Sequence, residues 1–133
     1  MAKVANKWMA SSSGGSPGDI AEASYTKTSG VAATLTNEVV TNLRFAESGV
    51  RSFDILASIQ VNTTANKWQV VRIIGIQKAT GIWDITPINS GDETGLRFDI
   101  VSSVGYGQIV YGITADASRT SINIKFRAIT TSI

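Results

Sequence analysis

The side chains best suited to covalent or acid–base chemistry are missing from this chain: its 133 residues include no cysteine and no histidine. That removes the common nucleophile–base pairs and most transition-metal sites. Carboxylates are what remains. Asp54, Asp84 and Asp99 are the candidates for the paired-acid arrangement of a glycosidase. Each stands beside apolar neighbours in an alternating stretch and points away from the larger residues, as on the solvated outer face of a one-sided sheet. Asp92 and Glu93, in a glycine-flanked loop, offer hard oxygen ligands of the kind calcium takes, but the D-x-D-x-D spacing of a calcium loop is absent. Serines number fifteen and threonines fourteen, with only lysine to serve as a base and no pattern that marks a Ser–Lys dyad. Gly75, Gly105, Gly107 and Gly112 do not form a phosphate-binding loop, which needs GxxxxGK[ST] at a strand-to-helix junction. The residue types therefore assign no catalytic group, no metal site and no cofactor site, and the expectation is a protein that is not an enzyme.

Aromatic side chains supply a second kind of chemistry. Trp68, Trp83, Tyr106 and Tyr111 have faces that can stack on sugar rings and edges that can hydrogen-bond. Aromatics within strands usually enter the core. Tyr106, flanked by Gly105 and Gly107, is the one expected at a surface turn, and it is the candidate glycan contact.

Charge narrows the partners. The formal net charge of +2 is small, and Arg44, Arg51, Arg72, Arg97 and Arg119 are scattered singly. A nucleic-acid surface needs a concentrated basic face, so none is expected. Charged residues make up 17% of the chain, against about 25% in an ordinary soluble domain. So apolar a chain is expected to cover part of its surface by associating with copies of itself. No run of residues approaches the ~20 apolar positions of a membrane span, and residues 1–10 lack the apolar stretch of a signal peptide. Absence of cysteine fits synthesis in a reducing cytoplasm.

The elements that must position these residues are strands. Residues 1–18 include Ser11-Ser12-Ser13-Gly14-Gly15-Ser16-Pro17-Gly18, a flexible linker composition. Ahead of it stand Lys3, Val4, Lys7, Trp8 and Met9, a short apolar plug with two lysines, expected to act as an N-terminal docking arm. Residues 19–133 read as one β domain. In residues 50–61, Phe53, Ile55, Ala57, Ile59 and Val61 share a face; Arg51 interrupts it, and Leu56 is the one large apolar residue opposite. Residues 62–66 are turn chemistry, and 67–77 complete a long hairpin with a strand expected to be central. Further strands are expected over 82–88, 96–101, 108–114 and 122–128, with weaker ones over 20–26, 31–36 and 39–45. The turn Gly105-Tyr106-Gly107 is expected before the strand at 108. About eight strands at short spacing, with almost no helical period, predict an all-β chain: an antiparallel β-sandwich or jelly roll with an extended N-terminal arm.

The segments Gly75-Ile76-Gln77-Lys78 to Trp83-Asp84-Ile85, Ser90-Gly91-Asp92-Glu93-Thr94-Gly95-Leu96-Arg97-Phe98, Gly107-Gln108-Ile109-Val110-Tyr111 and Ile124-Lys125-Phe126-Arg127-Ala128 carry a resemblance. Over residues 50–133 the chain resembles small β-sandwich modules of tailed-bacteriophage virion proteins, including tail-fibre, head-fibre and capsid-associated types. The resemblance implies trimeric or higher assembly, no enzyme activity in the module, and attachment to capsid or tail components of the virion through an N-terminal segment. No site residues carry over, since the matching positions serve turns and strands. One sandwich and an arm make a short chain for a fibre, which favours a capsid decoration (cement) protein or a small head or tail appendage. The other reading is a receptor-binding tip that contacts host-surface glycan.

Overall fold

The computed structural model describes residues 17–133, in which every regular element is a strand. The docking-arm residues Lys3, Val4, Lys7, Trp8 and Met9 lie outside the described residues. The strands are β1 (Ile20–Lys27), β2 (Leu35–Ala46), β3 (Val50–Asn62), β4 (Lys67–Ala79), β5 (Ile82–Gly91), β6 (Arg97–Ser103), β7 (Tyr106–Ile113) and β8 (Ser121–Ser132). They form two antiparallel sheets, a five-stranded one in the order β1-β8-β3-β4-β5 and a three-stranded one in the order β2-β7-β6. The all-β sandwich expected from the alternating pattern is what the chain builds. The pairings β1–β8, β2–β7 and β4–β5 nest inside one another as in a long hairpin folded on itself. β3 and β6, which would complete that nesting, lie in different sheets. The long meander β3-β4-β5 stays in one sheet and makes the two layers unequal.

Alternation explains which face each strand buries, because side chains on a strand point to opposite faces in turn. Phe53, Ile55, Ala57, Ile59 and Val61 of β3 face inward with Ile122, Ile124 and Phe126 of β8, and all are buried. Val40, Leu43 and Phe45 of β2 and Ile109, Tyr111 and Ile113 of β7 close the core from the other layer. A register shift between Val50 and Ser52 explains the misplaced Arg51. The slip puts Val50 in the core and releases Arg51, whose guanidinium donates to the Gln77 carbonyl at 2.7 Å.

Two expected strands, at 31–36 and 39–45, are one. β2 runs through both from Leu35, while Val31 is a buried loop residue. The alternation breaks because Asn37 and Asn42 take left-handed conformations (φ 49° and 70°), which asparagine tolerates better than most residues. Each lies within a register shift against β7. β5 and β8 also outrun the alternation, to Gly91 and Ser132. In β8 the backbone ladder continues to pair with β3 after the side-chain pattern lapses at Ile129. Asp19 reinforces it there, accepting from the Thr130 N–H at 2.7 Å and from its hydroxyl at 2.8 Å.

Candidate functional site

The carboxylates are dispersed into separate structural bonds. Asp54 receives two hydrogen bonds from Arg72, at 3.0 and 2.7 Å, and this partner raises the arginine's pKa from its ordinary value. Asp84 pairs with Lys78 at 2.7 Å, and Asp99 accepts from the N–H of Ile100 at 2.8 Å. Asp92 accepts from the Trp68 N–H at 3.0 Å and Glu93 from the Gly95 N–H at 3.0 Å, which makes both turn fasteners. Among the described residues no cluster of three or more metal-ligating side chains is gathered.

One buried carboxylate was not singled out by the sequence. Glu47, in the turn between β2 and β3, is 8% exposed. Its Oε2 accepts from the Trp83 indole at 3.0 Å and the Ser102 hydroxyl at 2.7 Å. Gln77 lies beside it, donating to the carbonyls of Glu47 and Val50 and accepting from the Gly81 N–H. These bonds join the β2–β3 turn to β4, β5 and β6 and satisfy the polar groups buried with it, as a structural clamp does.

Of the four aromatics, three are held by the fold. Tyr111 is buried, with its hydroxyl 2.8 Å from that of Tyr25. Trp83 packs at 5.7 Å from Phe53 and lies so close over Gly107 that a Cβ there would fall 2.6 Å from the indole. The turn expected at residues 105–107 falls at Val104 and Gly105 instead, and Tyr106 opens β7. Tyr106 is half-buried, and the Arg44 guanidinium stands 4.1 Å from its ring centroid. Trp68 is the exception. It is 59% exposed on the outer face of the five-stranded sheet.

That outer face carries most of the exposed large apolar side chains of β3, β4 and β8. Register brings its residues into rows across β8, β3 and β4: Asn123, Gln60 and Trp68; Lys125, Ser58 and Val70; Arg127, Leu56 and Arg72; Ile129, Asp54 and Ile74. β1 adds Ser24 and Thr26 at one side, and β5 adds Ile88 and Ser90 at the other. Exposed aliphatic side chains are spread across it: Val70, Ile74 and Ile76 on β4, Ile88 on β5 at 53%, Leu56 on β3 and Ile129 on β8, with the Arg72–Asp54 pair among them. Two shallow depressions of about 440 and 460 Å³ also lie on this face, the first walled by Trp68 beside Ser24, Ser58, Gln60 and Asn123. One of these residues is legible in the sequence, since Leu56 is the large apolar residue on the otherwise polar side of its strand. The run of apolar residues in β4 read as a central strand, and β4 does lie between β3 and β5, with its even-numbered side chains left on the outer face.

No protein-family model matches the chain. No curated protein is similar to it in sequence either. Among solved structures, the fold is similar to part of the tailspike protein of Acinetobacter phage vB_ApiP_P1, at 13% identity and a TM-score of 0.42. The match covers 85% of this chain and 21% of the tailspike chain. No helix among the described residues is long and apolar enough to cross a membrane.

Proposed function

We propose that this chain is a non-enzymatic β-sandwich module of a bacteriophage virion that associates with copies of itself, as a capsid decoration protein or a small head or tail appendage. The observation that carries self-association is the set of exposed aliphatic side chains on the outer face. Val70, Ile74 and Ile76 on β4, Ile88 on β5, Leu56 on β3 and Ile129 on β8 are all exposed there, around the Arg72–Asp54 pair. Patches of this kind mark association surfaces more often than bare solvent contact. The virion setting is supported by the strand-and-turn signatures shared with phage sandwich modules. Dispersal of every acidic side chain into structural bonds supports a role without catalysis.

The test is solution mass by light scattering. The full chain is expected to run as a trimer or larger, and Ile74→Lys with Ile76→Lys is expected to give a folded single subunit. A wild-type chain that stays a single subunit at high concentration would overturn the association reading. Docking on the particle through Lys3, Val4, Lys7, Trp8 and Met9 is tested separately: removing residues 1–17 should abolish incorporation into particles and leave the strand spectrum unchanged.

A further inference from the structure

We propose that the groove walled by Trp68 on the same face is a binding site for a neutral saccharide; the inference deepens the virion reading and rests on it only for where the ligand would come from. Recognition of a pyranose needs two things together. Its ring carries axial C–H groups that make an apolar patch, which an aromatic face covers, and equatorial hydroxyls that need planar donors and acceptors beside that face. The groove has both. Trp68 presents its indole from β4, and Gln60 and Asn123 lie in the same row on β3 and β8. Ser58 and Ser24 supply hydroxyls one row along.

The groove's amide side chains are held before any ligand arrives, and Trp68 is fixed through its backbone. Backbone bonds between Trp68 and Asp92 run both ways, the Trp68 N–H to the carboxylate at 3.0 Å and the Asp92 N–H to the Trp68 carbonyl at 2.8 Å. Gly91 allows that approach: a Cβ there would stand 2.7 Å from the Trp68 carbonyl oxygen. On the opposite wall, the Thr26 hydroxyl donates to the side-chain amide oxygen Oδ1 of Asn123 at 3.0 Å, and Asn123 Nδ2 donates to the Ser121 hydroxyl at 3.3 Å. Gln60 donates to Asn62 at 2.7 Å, which turns its amide oxygen into an oriented acceptor. Amides fixed in this way lose little conformational freedom on binding. The groove's volume of about 440 Å³ falls in the range of small-ligand sites.

Charge selects the ligand class. Among the described residues Lys125 is the one cation lining the groove, and Glu22 stands 3.9 Å from its ammonium. An anionic polymer would find little net attraction here, whereas a hexose or N-acetylhexosamine chain makes no demand for charge. Among the described residues the rows of Ile74 and Ile76 carry no such amides, which separates them chemically from the groove.

The experiment uses the full chain against an immobilised panel of neutral bacterial-surface oligosaccharides, with uronate- and phosphate-bearing ones as the second arm. Binding to neutral hexose- or hexosamine-containing members is expected, weakened about tenfold or more by Trp68→Ala. Trp68→Phe should retain part of it, and Tyr106→Ala should leave it unchanged. No binding across the panel, or binding that Trp68→Ala leaves intact, would overturn the inference. So would binding confined to the anionic arm and lost with Lys125→Ala. Light scattering of Trp68→Ala keeps the two readings apart. An unchanged assembly mass is expected; a fall to the single subunit would give the groove to a second copy, overturning the saccharide site while leaving self-association standing. Saccharide binding gained only on Trp8→Ala would give the groove to the chain's own N-terminal segment, with the same consequence.

Discussion

The ring of Phe53 fills the space that a side chain on Gly75 would need. The two residues face each other in register on β3 and β4, and a Cβ built on Gly75 would fall 2.6 Å from the ring's Cε2. The ring cannot retreat, because Phe45 is stacked on it at 4.3 Å with the planes 5° apart. A glycine in mid-strand ordinarily weakens a sheet. Here it lets a phenylalanine of one strand lie flat over its neighbour and join the two layers.

Gly75→Ala is therefore expected to destabilise the fold although alanine is the better strand residue. Overpacking a closed core costs about 1–3 kcal/mol. Thermal unfolding followed by circular dichroism should show a lower midpoint than wild type. Phe53→Leu in the same background should recover part of the loss by freeing space above residue 75. An unchanged midpoint for Gly75→Ala would mean that the Phe45–Phe53 stack yields readily.

The tyrosine pair in the core sets an alkaline limit. Burial pushes the Tyr111 hydroxyl far above its ordinary value of 10.0, and the hydrogen bond with Tyr25 adds to the effect. Below about pH 10 both folded and unfolded chains keep this proton, so the contribution to stability is fully present. Above it, the unfolded chain releases the proton and the folded one holds it, and stability falls as pH rises. Denaturant midpoints measured from pH 8 to 11 should decline above 10 in the wild type and decline less in Tyr111→Phe. The variant should also lose about 1 kcal/mol at neutral pH with the hydrogen bond.

A turn residue offers a gain. Val104 and Gly105 form the two-residue connection between β6 and β7, both with positive φ (50° and 82°). That conformation suits asparagine followed by glycine, whereas a β-branched residue is strained in it. Val104 is 94% exposed, so no packing offsets the strain. Val104→Asn should stabilise by about 1 kcal/mol, read as a raised unfolding midpoint with no change in assembly mass.

How much of this was legible follows from what sets each feature. β3 and the inner half of β8 were readable residue by residue, because one buried face imposes a strict period of two. β2 was not, since two left-handed asparagines shift its register and split one strand into two apparent ones. The outer face was half legible. Leu56 stood out against polar neighbours, yet Trp68, Val70, Ile74 and Ile76 lay in a run whose apolar residues occupy both faces, and nothing in such a run says which face is left uncovered. Gln60 and Asn123 join Trp68 only through strand pairing that brings β8 beside β3, a contact between residues some sixty apart in sequence. Glycines around Tyr106 suggested a turn at 105–107, but the turn falls one residue earlier and Gly107 lies under the Trp83 indole.

The irregularity in β2 has its own fastener, and it gives the last prediction. Where the strand leaves register between Val39 and Arg44, carbonyls that would have joined the ladder with β7 lose their partners. Gln108 on β7 supplies replacements. Its Nε2 donates to the carbonyls of Val40 at 3.0 Å and Leu43 at 3.1 Å, and to that of Ile109 at 2.9 Å. The side chain is buried, so water has little access to those oxygens once it is removed. Gln108→Leu keeps the volume and strands the acceptors, at a cost of about 1–3 kcal/mol for each one left unsatisfied. Hydrogen exchange should localise the damage: amides of β2 from Val40 to Phe45 and their partners on β7 should lose protection, while those of β3 and β4 keep theirs. A leucine variant as stable as wild type, with β2 still protected, would show that the bulge is held by packing of Val40 and Leu43 alone.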